Sequence, residues 1–400
     1  MSLKIFYSDR IEVLAAELKR KLASERSDGA DPFAFSQVVV PNANIAKYLQ
    51  MREFAKEEKL CAGIKFPFME ACLTQIMQAN LEAAEEFKLL PDHAYTNAIL
   101  RILLKNDSPK LKPFRAYIDG GEGAFPIKIE KQRDSRMAWQ LADKLANLMD
   151  TYEVRRPEII ANWLAGGSAA NVNTPPTGTE SAEAELAKSL WGENGEFPNS
   201  GNRLSLRQLY ERVKNTAPKG PSQTIYFFGQ STLTLLQVRI FLWLAQTHDV
   251  IFYHNNPCLA YWGDIETAKE RRKTLFKVES EFSEQNPDVS FDWRIDDKTI
   301  ENPLLTKFGI AGRETLRLLV DLEEGCDGTI DFEWREIFEE RGEGESVLEK
   351  VQHGIRRRTS EMEKVPQDAS IQIVGAPGIR REVEMVYNSI VGSVWKPDGS

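Results

Sequence analysis

Thr224-Ile-Tyr-Phe-Phe-Gly-Gln-Ser231, the segment Leu235 to Thr247, and Asp249-Val-Ile-Phe-Tyr253 decide the fold. The first run is apolar, aromatic and uncharged, and Gly229 stops it, so it reads as a short buried strand. The middle segment is helical in length and sets Leu236, Ile240, Trp243 and Leu244 on one side. The third run carries no charge after Asp249 and reads as a second strand. Strand, helix, strand over about thirty residues is one βαβ unit with a right-handed crossover. Strands apolar on both faces belong in the middle of a parallel sheet covered by helices.

Working outward, Leu3 to Tyr7 is a strand, and Ser8-Asp9 caps a helix from Ile11 to Leu22. Phe35 to Val40 and Asn44 to Lys56 repeat the pattern, so the first sixty or so residues form a second βαβα unit. The turns Tyr7–Arg10 and Pro41–Asn44 then open at the carboxyl edge of the sheet, where α/β proteins bind ligands. From Pro67 to about Arg212 helical patterns take over: 70–87, 93–104, 134–152, 157–164 and 203–214. Residues 120–124 read as a flexible turn and 166–180 as a mobile loop. Beyond the central unit, helices are expected through Glu270–Lys273 and from Gly312 to about Glu324, with a polar stretch from Glu333 to Arg358. Ile371 to Val374 reads as a strand and Ile379 to Val394 as its helix. Trp395 to Ser400 breaks off in mid-pattern, which reads as a fragment of a longer protein.

Composition bounds the function. The chain has 400 residues, 42% hydrophobic and 28% charged, enough for two or three cored domains. No apolar run reaches the roughly eighteen residues of a membrane span. The four cysteines lie far apart without a C-x-x-C pair, which speaks against zinc and disulfides and for a reducing cytoplasm. The net charge of −9 means that DNA would be held only by a local groove.

The α/β frame invites a search for phosphate-binding loops, and none is present. A P-loop needs glycines whose backbone N–H groups cradle phosphate and a lysine that reaches it. The first turn reads Ser8-Asp9-Arg10, and Gly-Lys occurs nowhere. The strand at Phe228 ends in Gly229-Gln230, without the acid that holds Mg²⁺. No G-x-G-x-x-G turn or G-x-S-x-G elbow occurs, and the four histidines share no ligand spacing. Basic clusters at Lys128–Arg136, Arg155-Arg156, Arg271–Lys273 and Arg356–Arg358 read either as solvated faces or as phosphate contacts along a channel.

Seven ordered blocks resemble one family. They are Phe6–Arg10, Val40–Met51, Lys65–Pro67, Asp150–Tyr152 with Arg156-Pro157, Asn256–Cys258 with Tyr261–Ile265, Asn302–Leu305, and Arg381–Glu384. Together they resemble the N-terminal part of the RecC family, the gamma chain of exodeoxyribonuclease V. The resemblance implies a RecA-like, superfamily 1 helicase-like parallel sheet that lacks its ATP motifs and carries an α-helical insert. Residues 1–85 with 216–355 would form the first helicase-like domain, 86–215 the insert, and 366–400 the start of a second lobe.

It also implies a cytoplasmic, non-catalytic scaffold for double-strand break repair. Such a scaffold joins a RecB-like motor-nuclease subunit and a RecD-like motor subunit, which bind the ATP and Mg²⁺ that this chain does not. It splits duplex DNA and scans the 3′-ended strand for a Chi sequence. Aligning the blocks places Pro41, Ala43, Lys47, Phe68, Thr74, Asn147, Leu148, Asp150 and Arg156 on the channel face. Leu148, Asp150 and Arg156 keep the family's residue types. Pro41, Ala43, Lys47, Thr74 and Asn147 depart from them, which implies a different DNA word or none, because base reading depends on donor and acceptor pattern. Two other classes compete: an active helicase-nuclease subunit with its own ATP site, and a two-lobed nucleotide-sugar transferase.

Overall fold

A computed structural model describes residues 1–27, 35–58, 61–81, 87–91, 93–106, 108–118, 135–267, 269–274, 301–326, 328–360 and 366–394. The expected turn at 120–124, the basic residues Lys128, Lys131 and Arg133, and the last six residues lie outside this set.

The centre is a six-stranded sheet whose described ladders are all parallel, in the order β3-β2-β6-β7-β1-β8. The strands are β1 (Ser2–Ser8), β2 (Ser36–Val39), β3 (Ile64–Lys65), β6 (Thr224–Phe228), β7 (Asp249–Asn255) and β8 (Asp331–Glu336). A separate ladder pairs β4 (Lys88–Leu89) with β5 (Arg203–Leu204). β6 and β7 are neighbours, joined by helix α11 (Leu235–Leu244), as the uncharged runs require.

Strand alternation distributes the core. Leu3, Ile5, Ile225, Phe227, Val250 and Phe252 face one side and pack with α11. There Phe227 lies 4.8 Å from both Phe241 and Phe252. Phe6, Tyr226, Phe228, Ile251 and Tyr253 face the other side against Leu14, Ala15 and Leu18 of helix α1 (Ile11–Ser27). Both faces are therefore covered, which is why these strands carry no polar alternation.

Helix α2 (Ala43–Tyr48) is capped by Asn42, whose Oδ1 accepts from the N–H groups of Asn44 and Ile45 at 3.0 and 3.1 Å. It runs into a π-helical segment, Leu49–Phe54, and then α3 (Ala55–Glu58). Helix α4 (Met69–Asn80) ends earlier than the pattern predicts.

A second core joins α5 (Ala94–Lys105), α6 (Lys112–Ile118), α7 (Ser135–Arg155), α8 (Pro157–Ala165) and α9 (Gly178–Trp191). Helix α10 (Leu206–Val213) instead gives Leu209 and Val213 to the sheet core.

Two expectations are corrected. The segment 166–180 is pinned, because the Glu180 carboxylate accepts from Trp163 Nε1 at 3.0 Å and from the Ala169 N–H. Ile371–Val374 pairs with no strand among the described residues, and Ile373 is 96% exposed. A strand needs a ladder partner for its backbone groups, and none lies beside this one.

Further helices are α12 (Pro303–Phe308), α13 (Ile310–Glu324), α14 (Val347–Arg356) and α15 (Ile379–Val394), and residues 269–274 are helical as expected.

Candidate nucleic-acid interface

The site is built on α7. Ala138, Ala142, Leu145, Ala146 and Met149 face the helical core, so Asn147 and Asp150, three residues apart, fall on the opposite, exposed side. The helix stops at Arg155 because Pro157 disfavours a helical Arg156, which adopts φ −141° and ψ 54°. Pro157 then opens α8 at a position where its missing N–H costs nothing.

A cavity of about 520 Å³ lies against this face of α7. Asn147, Asp150 and Asp143 of α7 share it with Glu70 of α4 and with His93, which holds a left-handed φ of 62°. Its floor is a buried polar network. Glu153, 3% exposed, accepts from Ser205 Oγ at 2.7 Å, from Arg207 Nε at 2.9 Å and from the Tyr95 hydroxyl. Trp191 Nε1 donates to the Tyr95 oxygen at 3.3 Å, and the Arg207 guanidinium lies 5.3 Å from the Trp191 ring. Burial and the Glu153 charge push the Tyr95 hydroxyl well above its ordinary pKa, so it stays a donor. This network fixes α7 to α5, α9 and α10. Desolvation at the cavity wall also holds the Asp150 carboxyl above the usual range, although the residue as a whole is exposed. The wall is acidic, and its one arginine is committed to Glu153, so it suits base-edge N–H donors better than phosphate.

The other candidates lie nearer the sheet edge. Pro41, Ala43 and Lys47 are exposed on the turn after β2 and on α2. Phe68, 50% exposed, begins α4 and forms a parallel bridge with Val40, whose N–H donates to the Pro67 carbonyl at 3.0 Å. Pro41 and Phe68 are thus brought side by side. Thr74 is half-buried on α4, with its Oγ1 buried and without a hydrogen-bond partner among the described residues. Leu148 is half-buried and stands outside the residues of the helical core. Arg156 is exposed at the α7–α8 corner and does not line the cavity.

The Arg356–Arg358 cluster is largely structural. Arg356 is buried 3.5 Å from Asp9, and Arg358 pairs with Asp264 at 2.8 Å and with Glu301. The network around Glu153 escaped sequence reading. Its one local signal is the Ser205-x-x-Gln208 capping box that starts α10.

The family model described as RecC, N-terminal domain, matches residues 3–358. This chain belongs to the RecC N-terminal domain family. Three curated relatives, each called RecBCD enzyme subunit RecC, are similar across nearly the whole chain. The Haemophilus influenzae protein is 24% identical over 97% of this chain and 36% of its own length. The Escherichia coli protein is 23% identical over 97% and 35%. The Mycolicibacterium smegmatis protein is 22% identical over 98% and 32%. The chain spans about a third of the length of these relatives. Among the described residues, no helix is long and apolar enough to cross a membrane.

Proposed function

We propose that this RecC-family chain supplies the helicase-like part of a non-catalytic scaffold in a cytoplasmic RecBCD-type helicase-nuclease complex. Residues 1–85 with 216–355 serve as the first lobe, 86–215 as the helical insert, and 366–400 open the second lobe. The scaffold splits duplex DNA and channels the 3′-ended strand past α4 and α7. Asn147 and Asp150 meet base edges, Phe68 stacks a base, and Lys47 and Arg156 meet phosphates. Pro41, Ala43, Thr74 and Leu148 shape the wall. RecB-like and RecD-like partners bind ATP and Mg²⁺ and carry out the chemistry.

The turn after β1 carries this reading. A working motor holds triphosphate there, on the N-terminus of the first helix. In this chain Asp9 occupies the turn, its carboxylate 3.5 Å from buried Arg356, and Arg10 is held 2.6 Å from Glu339. Glu12 adds a second acid in the first turn of α1. The chain's own carboxylates thus stand where phosphate charge would have to go. Equilibrium titration of the purified chain with ATP and Mg²⁺ tests the reading. No triphosphate-dependent binding at millimolar nucleotide is expected, and micromolar affinity would defeat the proposal in favour of an active motor subunit.

A further inference from the structure

A cavity of about 220 Å³ opens beside the carboxyl edge of β1, β7 and β8, against α13. Three ring side chains of adjacent strands meet there, because Tyr7 is the ladder partner of His254 and Ile5 that of Trp334. Tyr261 adds a fourth ring from the loop after β7, and Leu316 and Val320 of α13 close the opposite wall. Among the described residues, no Lys, Arg, Asp or Glu lines it.

Most polar groups around the cavity are already engaged. Asn256 accepts from Trp262 Nε1 at 2.7 Å and donates to the Cys258 carbonyl at 3.0 Å. Trp334 Nε1 donates to Glu323 at 2.8 Å, and the Tyr7 hydroxyl donates to Glu336 at 3.3 Å. His254 differs: it is 5% exposed, and among the described residues its Nε2 has no hydrogen-bond partner. A buried polar atom left this way marks where a ligand atom would be welcome.

We propose that this cavity binds the base of a nucleoside, an uncharged planar heterocycle stacked among Tyr7, Trp334 and Tyr261 and hydrogen-bonded to His254, with no contribution from phosphate. The cavity volume falls below the roughly 300 Å³ at which pockets for drug-sized ligands begin, which suits a single ring system. Ring walls favour a flat π-face over an aliphatic chain. The uncharged lining gives phosphate nothing to bind, and Arg358, which donates to the Tyr261 carbonyl, is paired with Asp264 and Glu301. Burial pushes the His254 imidazole down to about 4, so near neutral pH it is uncharged and offers one donor or one acceptor. The site takes neither Asp9 nor Arg10 into its lining and does not rest on the scaffold reading.

Ligand-observed NMR of the whole chain with adenosine, thymidine and ATP at millimolar concentration tests this. Binding in the millimolar range is expected for so small a ligand. ATP should bind no more than about threefold more tightly than adenosine, because phosphate adds nothing. Ala260→Phe, at the exposed mouth of the cavity, should abolish the signal without unfolding the chain. A single-stranded oligonucleotide that displaces adenosine would assign the pocket to a base unstacked from DNA, and one that does not would assign it to a free nucleoside. Absence of nucleoside binding, a signal unchanged in Ala260→Phe, or ATP favoured tenfold or more would overturn the proposal.

Discussion

At the scale of single residues, two buried polar groups are accommodated differently. Glu153 accepts from three donors, and one of them, Arg207, is its ion-pair partner inside the protein. Removing one member of such a pair leaves the other buried and uncompensated, a loss of about 3–5 kcal/mol. Glu153→Gln should therefore lower the urea midpoint strongly, while the paired change Glu153→Leu with Arg207→Met should recover most of the loss. A double-mutant cycle measures the difference. His254 instead gives up its charge. Its folded pKa of about 4 lies below the ordinary value of 6.5, so the unfolded chain binds more protons between those pH values. Stability is then fully present above pH 6.5 and falls as pH drops toward 4, by up to about 3 kcal/mol. Buried His248 is shifted in the same direction. Thermal melts across this window should show the slope, and His254→Phe should flatten it.

At the scale of elements, α11 shows how local signals and burial cooperate. Thr234 and Gln237 form a reciprocal capping box at its start, with bonds of 3.3 and 3.0 Å. Thr234→Ala should cost about 1 kcal/mol in chemical denaturation, and Thr234→Gly only a few tenths. The central βαβ unit was legible because its strands are buried on both faces and so lack charge. β8 was not, since Asp331, Glu333, Arg335 and Glu336 make Asp331–Glu336 look like surface. Its place at the sheet margin explains this composition, but a margin is a tertiary fact. Ile371–Val374 failed in the opposite sense, with β-branched residues at Ile371, Ile373 and Val374 but no neighbouring strand. α9 was missed because Ala182, Ala184 and Ala187 supply much of its buried face, a weak hydrophobic signal. The candidate interface was legible only through family resemblance. Nothing local links Glu153 with Arg207, which lies 54 positions away.

At the scale of the whole molecule, charge decides how DNA can be approached. The net charge of −9 opposes association in general, so isolated chain should bind DNA weakly at physiological salt. On the proposed scaffold function, engagement comes from local cations such as Arg156, exposed at the α7–α8 corner. In a complete complex with its partner subunits, Arg156→Ala should weaken binding to forked DNA. It should also reduce the slope of log affinity against log salt by about 0.7–1, the signature of one lost phosphate contact. Fluorescence anisotropy over a salt series reads both quantities, and an unchanged slope would remove Arg156 from the strand's path.

The two margins of the sheet have a further consequence. Among the described residues, one ends in β3, only two residues long, and the other in β8, where Asp331, Arg335 and Glu336 are exposed. A short strand offers little backbone to copy, and a charged one repels uninvited neighbours. Neither flank therefore invites another polypeptide to extend the ladder. Subunits that assemble with this chain should grip it through side chains on its helices and loops, and the sheet should resist the edge-to-edge stacking that leads to fibrils.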